Sequence, residues 1–94
     1  MTTLHWSSRF TRSFAKKTKQ REDVRKKIVN VMRLLEEDPF QPVLKTHKLR
    51  GIFDGSFACS VEYDLRIVFD FVKNSNTSED EILLIDIGSH EEVY

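Results

Sequence analysis

A change of apolar period on either side of Pro39 constrains the fold most. Upstream, Val24, Ile28, Val31, Met32 and Leu35 fall at i, i+4, i+7, i+8 and i+11. That spacing is one stripe of an α-helix, and it predicts a helix over 21–37. Glu22 and Asp23 suit its first turn, where the helix dipole favours negative charge; Glu36, Glu37 and Asp38 oppose the dipole at the other end. Pro39 stops the helix, because it has no N–H to donate and restricts the residue before it. Downstream, from Ser56, the period is two: Phe57, Cys59 and Val61 alternate with Ala58, Ser60 and Glu62. A chain that changes period in this way needs a helical layer and a sheet layer.

The flanking segments complete the pattern. Residues 2–6 suit a short strand with Leu4 and Trp6 on one face. Ser7 or Ser8 can cap a helix over 9–17 that buries Phe10 and Phe14 at i, i+4 spacing. Lys16, Lys17, Lys19 and Arg21 cover its end, where cations are favoured. The short turn to the next helix makes a helical hairpin. Residues 39–55 lack clear periodicity, although Asp54-Gly55 is a turn signal. Arg66 to Val72 is rich in strand formers, with Tyr63-Asp64-Leu65 as the hairpin turn before it. The polar loop 73–80 leads into a last strand, Glu81 to Ile87. The expected order is β-α-α-β-β-β, an α+β two-layer fold with the helical hairpin packed on an antiparallel sheet.

The chain has 94 residues. That length predicts one domain, 1–94, with a small core. No apolar run reaches membrane-spanning length, which excludes a transmembrane helix. The first residues lack the basic and apolar blocks of a signal peptide. The lone Cys59 cannot form an internal disulfide, and both features fit a cytoplasmic protein. Formal net charge is zero, but residues 1–52 carry thirteen Lys/Arg against five Asp/Glu, and residues 53–94 two against ten. The resulting +8 and −8 suggest a polyanion or an acidic partner for the basic part. The competing reading is two solvated faces of a dipolar protein.

The run Ile85-Asp86-Ile87-Gly88-Ser89-His90-Glu91-Glu92-Val93-Tyr94 places an imidazole and a phenol at the edge of the expected sheet. An imidazole titrates near neutral pH and can serve as acid or base. Glu91 and Glu92 would hold it partly protonated and favour the acid role. Metal-ligand spacing, a glycine-rich phosphate loop and a nucleophile elbow do not occur in the sequence. Cys59 and the pair His5-Trp6 read as strand residues.

Three segments together carry a family resemblance: His47-Lys48-Leu49-Arg50-Gly51, Tyr63-Asp64-Leu65-Arg66-Ile67-Val68-Phe69, and Ile87 to Tyr94. In order and spacing, and with the helical hairpin upstream, the chain resembles the RelE/ParE superfamily of type II toxin–antitoxin toxins. The likeness is closest to the RelE/StbE and YafQ-like ribosome-dependent mRNA interferases. It implies a RelE-like fold and cleavage of mRNA in the ribosomal A site, without metal or cofactor. The ribose 2′-hydroxyl then attacks its adjacent phosphate, which needs a base, a cation and an acid.

Residue by residue, His90 matches the C-terminal catalytic histidine of the YafQ-like branch. Arg66 matches the arginine aimed at the scissile phosphate; its competing role is a salt bridge to Asp64 or Glu62. Asp64 matches an aspartate that acts as a base or orients the histidine, against a plain turn role. His47 stands where that branch carries another histidine, among Lys45, Lys48 and Arg50, which would hold RNA phosphates. Tyr94 matches a terminal aromatic that stacks on a base or orients the phosphate. Ser60 replaces a second family histidine and Leu65 an aromatic, so a mixed site is expected. The resemblance also implies three partners: the ribosome, mRNA and a cognate antitoxin. Operator DNA would be reached only through the antitoxin complex. ParE-like members, which share the fold, inhibit DNA gyrase without catalysis, and they are the alternative reading.

Overall fold

The structure, a computed structural model, describes residues 2–89. Its elements are β1 (Leu4–Trp6), α1 (Ser8–Thr18), α2 (Glu22–Glu37), β2 (His47–Lys48), β3 (Phe57–Glu62), β4 (Leu65–Lys73) and β5 (Asp80–Gly88). Short 3-10 turns at Pro42–Leu44 and Gly51–Phe53 flank β2. The five strands form one sheet in the order β1-β5-β4-β3-β2. Neighbours from β5 to β2 are antiparallel, as expected, and β1 runs parallel to β5, so the sheet is mixed.

Local chemistry sets the helix ends. Ser7 caps α1: its Oγ accepts from the Phe10 N–H at 3.0 Å and donates to the Ile85 carbonyl at 3.1 Å. One hydroxyl therefore starts the helix and ties it to β5, and losing such a cap typically costs about 1 kcal/mol. Gln20 takes a left-handed φ of 55° in the tight turn between the helices. At the C-terminus of α2, the Asp38 N–H reaches the Leu34 carbonyl, and the Gln41 amide donates to that same carbonyl at 2.8 Å. Those donors satisfy a helix end that the acidic residues Glu36 and Glu37 leave electrostatically unfavourable.

The helices cover one sheet face. Phe10, Val24, Ile28 and Leu35 pack with Cys59, Ile67, Phe69, Ile82 and Leu84 in the main core. Each large side chain buried there contributes about 1.5–3 kcal/mol against remaining in water. The expected α2 stripe is buried at Val24, Ile28, Val31 and Leu35, with Met32 at its margin. Phe40, Phe57, Phe69 and Phe71 extend the core as contacting rings with centroids 5.2–6.0 Å apart. The opposite face carries a smaller cluster of Leu49, Ala58 and Val68, with Phe53 and Ile85 against it.

Two register rows order that second face. His47 pairs with Ala58, Ala58 with Val68, and Val68 with Asp86. Two residues along β4, Ser60 pairs with Arg66 and Arg66 with Gly88. Direct cross-strand partners project to the same face, so His47, Ser60 and Arg66 share the side opposite the main core. A register shift opposite Val68 and Phe69 leaves Ile85 as the extra residue of β5. Such a bulge re-aims the residues around it.

Candidate functional site

Arg66 opens β4 and is half-buried, held by the turn that precedes it. Its Nη1 donates to the Glu62 carbonyl at 2.7 Å, the Tyr63 carbonyl at 3.0 Å and, more distantly, Ser60 Oγ at 3.3 Å. The two-residue turn Tyr63-Asp64 folds these carbonyls back around the guanidinium, because β3 ends at Glu62 and β4 begins at Leu65. Of the two carboxylates in the competing reading, Glu62 pairs elsewhere. The Glu62 carboxylate turns to Lys27 of α2 at 2.8 Å instead, and that contact raises the lysine's pKa. Carbonyl and hydroxyl oxygens thus orient Arg66, and a guanidinium so fixed presents planar donors suited to a phosphate.

Ser60 occupies the row of Arg66 and accepts one of its hydrogen bonds. The residue that departs from the family pattern therefore contacts the arginine itself. Gly88, the register partner of Arg66 on the other side, lies two residues before His90. His90 and Tyr94 lie outside the described residues.

His47 sits on the edge strand β2, exposed, with Nδ1 3.0 Å from the Lys45 carbonyl. A carbonyl only accepts, so Nδ1 is the donor in this contact. Lys45 holds a left-handed φ of 52° at the end of the 3-10 turn, which bends the chain into β2. His47, Lys48 and Arg50 line a shallow cleft of about 290 Å³ with Leu49. Lys48 and Arg50 also line a neighbouring one of about 350 Å³ with Asp54 and Gly55. His47 and Arg66 share a face but do not touch; they are two strands and one row apart, roughly 10 Å or more between backbones.

Asp64 is exposed at the tip of the β3–β4 turn. It lines a cleft of about 290 Å³ with Glu62, Leu65 and Ser89 from the sheet and Lys17, Arg21 and Val24 from the helical hairpin. Asp64 is thereby brought beside the root of the tail and two cations. Lys17 and Arg21 fall at a helix end in the sequence, whose spacing gives no sign that they line a cleft with Asp64. Among the described residues, no group of three His, Cys, Asp or Glu side chains is placed to hold a metal ion. Burial pushes the Cys59 thiol up to about 12, so it remains a protonated packing residue. His5 Nε2 meets Glu81 at 2.7 Å on the far strand pair, away from the Arg66 row.

A helical hairpin on a five-stranded mixed sheet, here with Arg66 near the start of the fourth strand, is a fold shared with solved toxin structures. The model of a family described as bacterial toxin of type II toxin-antitoxin system, YafQ, matches residues 2–94, and the chain belongs to that family. Its fold is similar to that of YafQ from Escherichia coli BL21(DE3), with a TM-score of 0.74 and 19% identity over 100% of this chain and 99% of that one. It is also similar to YafQ in the E. coli DinJ-YafQ toxin-antitoxin complex, with a TM-score of 0.73 and 19% identity over 99% and 97% of the two chains. A YoeB/ParE toxin from Agrobacterium tumefaciens gives a TM-score of 0.70 and 19% identity over 94% and 98%. A search of curated proteins finds no match. The protein is a type II toxin, and among its described residues no helix is long and apolar enough to cross a membrane.

Proposed function

We propose that this toxin is a ribosome-dependent endoribonuclease that cleaves mRNA and stops translation in the cytoplasm. The observation that carries the reading is the position of Arg66. It is anchored by backbone carbonyls on the open sheet face and is in register with Gly88, from which the chain runs to His90. Membership of the YafQ family supports the same conclusion.

In this reading the ribose 2′-oxygen attacks the adjacent phosphorus and loses its proton to a base. The P–O5′ bond breaks, and an acid protonates the leaving 5′-oxygen. The products are a 2′,3′-cyclic phosphate and a 5′-hydroxyl end. Arg66 neutralises the charge that builds on the phosphorane. His90 is the general acid. His47 and Asp64 are the two candidates for the base. Lys45, Lys48 and Arg50 hold flanking phosphates, and Tyr94 stacks on a base. Lys17 and Arg21 add cations on the helical side of the β3–β4 turn, in the cleft they line with Asp64 and Ser89. A cognate antitoxin would neutralise the toxin, as the DinJ-YafQ complex supports, and would carry it to operator DNA.

The test is a cell-free translation system with a defined mRNA, comparing the wild type with His90→Ala and mapping 3′ ends by primer extension. Cuts phased with codons in the wild type, reduced about 100-fold or more in the variant, are expected for loss of a general acid. Undisturbed translation accompanied by gyrase-dependent DNA breaks would replace this reading with the ParE-like one.

A further inference from the structure

The guanidinium of Arg9 lies over the ring of Phe53, 5.2 Å from Cζ to the ring centroid. Its Nε meets Asp86 Oδ2 at 3.0 Å. These residues come from three separate places: the first turn of α1, the 3-10 turn after β2, and β5. Asp86 is itself fixed, since its Oδ1 accepts from Ser13 Oγ and from the Ile87 N–H at 2.8 Å. Carboxylate and ring together give the Arg9 plane a defined orientation, yet 55% of the Arg9 side chain stays exposed.

Phe53 sits on the same side of the sheet as Arg66, and the Arg9 guanidinium reaches over it from α1. Phe53 packs with Leu49, Ala58, Val68 and Ile85, the small cluster on the face opposite the main core. Asp86 is the register partner of Val68, one row from the pair Arg66–Gly88. One row is two residues, roughly 6.6–6.8 Å along a strand. A helix-anchoring ion pair would need only the charge of Arg9; a planar cation laid on an aromatic ring adds a flat, weakly hydrated surface.

We propose that Arg9 and Phe53 form a stacking platform for a nucleobase of single-stranded RNA, on the sheet face that carries Arg66. The platform rests on the endoribonuclease reading for its ligand class. Guanidinium planes and aromatic rings are the surfaces on which unpaired bases stack, and a purine offers the larger π-face. Asp86 sets the platform's orientation without touching the base, and is a positioning residue.

The experiment uses a short single-stranded RNA carrying one 2-aminopurine, whose fluorescence is quenched on stacking, and a matched RNA with an abasic site there. Binding is read by anisotropy and stacking by quenching, for the wild type, Arg9→Lys and Phe53→Leu. Arg9→Lys keeps the charge and the partner Asp86 but loses the plane, and thermal melts verify that each variant is folded. The expected result is quenching by the wild type, lost in both variants, with about tenfold weaker binding of the purine RNA and equal binding of the abasic RNA. Should Phe53→Leu fail to fold, Arg9→Lys alone decides the matter. Wild-type quenching retained in Arg9→Lys, equal losses for purine and abasic RNA, or no RNA binding by the wild type overturns the platform. Quenching that depends on Arg9, from a wild type that never cuts a translated mRNA, overturns the nuclease reading and leaves the platform standing.

Discussion

Arg66 on β4 and Gly88 on β5 are direct register partners. The residue proposed to hold the scissile phosphate is therefore fixed beside the root of the segment that carries His90. The β3–β4 turn completes the arrangement by closing the Glu62 and Tyr63 carbonyls on Nη1 of Arg66. Charge and position are coupled, because the hydrogen bonds that orient the guanidinium also hold the turn.

Substituting Arg66 tests that coupling. Arg66→Ala removes a charged donor from the turn and is expected to cost about 1–3 kcal/mol in urea denaturation. Arg66→Lys retains the charge and should lose less stability. Its cleavage should still fall roughly 100-fold, because an ammonium cannot reproduce the planar fork. Wild-type cleavage by Arg66→Lys would remove Arg66 from the site.

Asp86→Asn addresses the buried carboxylate between α1 and β5, which receives Ser13, Arg9 and its neighbouring N–H. The expected loss is about 1–3 kcal/mol, and that of Ser13→Ala about 1 kcal/mol. The two should not add in the double variant, because they share one interaction. Additive losses in denaturant titrations would show that Ser13 and Asp86 act separately.

Phe69 is fully buried, at the meeting point of the aromatic contacts with Phe57 and Phe71. Phe69→Ala is expected to cost about 3–5 kcal/mol through lost burial and an unfilled cavity. Tyr63, 95% exposed in the β3–β4 turn, should change stability by no more than about 0.5 kcal/mol as Tyr63→Ala. Matching melting temperatures for the two variants would contradict the core assignment.

Cys59 gives an alkaline prediction. In the unfolded chain a thiol ionises above about 8.5, whereas burial holds Cys59 to about 12 in the fold. The unfolded state releases its proton first as pH rises. Stability is then lost between these values by up to about 1.4 kcal/mol per pH unit. Cys59→Ala should flatten this part of the wild-type stability curve, and native Cys59 should resist maleimide until the protein unfolds.

Glu81 gives an acidic one. Its carboxyl lies below the usual range, first because His5 hydrogen-bonds to it and then because Asn74 donates to its other oxygen at 3.0 Å. A depressed folded pKa contributes stability that is present above the unfolded value, about 4.3, and is lost as pH falls through the folded value. The side-chain carbonyl NMR signal of Glu81 should titrate at higher pH in His5→Ala than in the wild type. An unshifted midpoint would show that His5 is not the cause.

Local patterns were legible in the sequence. The α2 stripe, its stop at Pro39, the Ser7 cap and the hairpin at Tyr63-Asp64 each depend on residues within a few positions of one another. The family segments also lie along the chain in recognisable order, which made Arg66 and His47 candidates before any geometry. Tertiary structure decided what those side chains meet. Parallel pairing of Leu4 with Ile82 joins the two ends of the chain, and β2 is only two residues long, too short to show a period. Glu62 chose Lys27, 35 residues away, over its neighbour Arg66. Arg9, Phe53 and Asp86 converge from three elements. Periodicity records which face of an element is apolar; it carries no information about which distant face or charge will be packed against it. The sequence by itself determined the layers and nominated the residues. Only the packing of helix, sheet and turns selected their partners, because those contacts are set by chain closure over long separations.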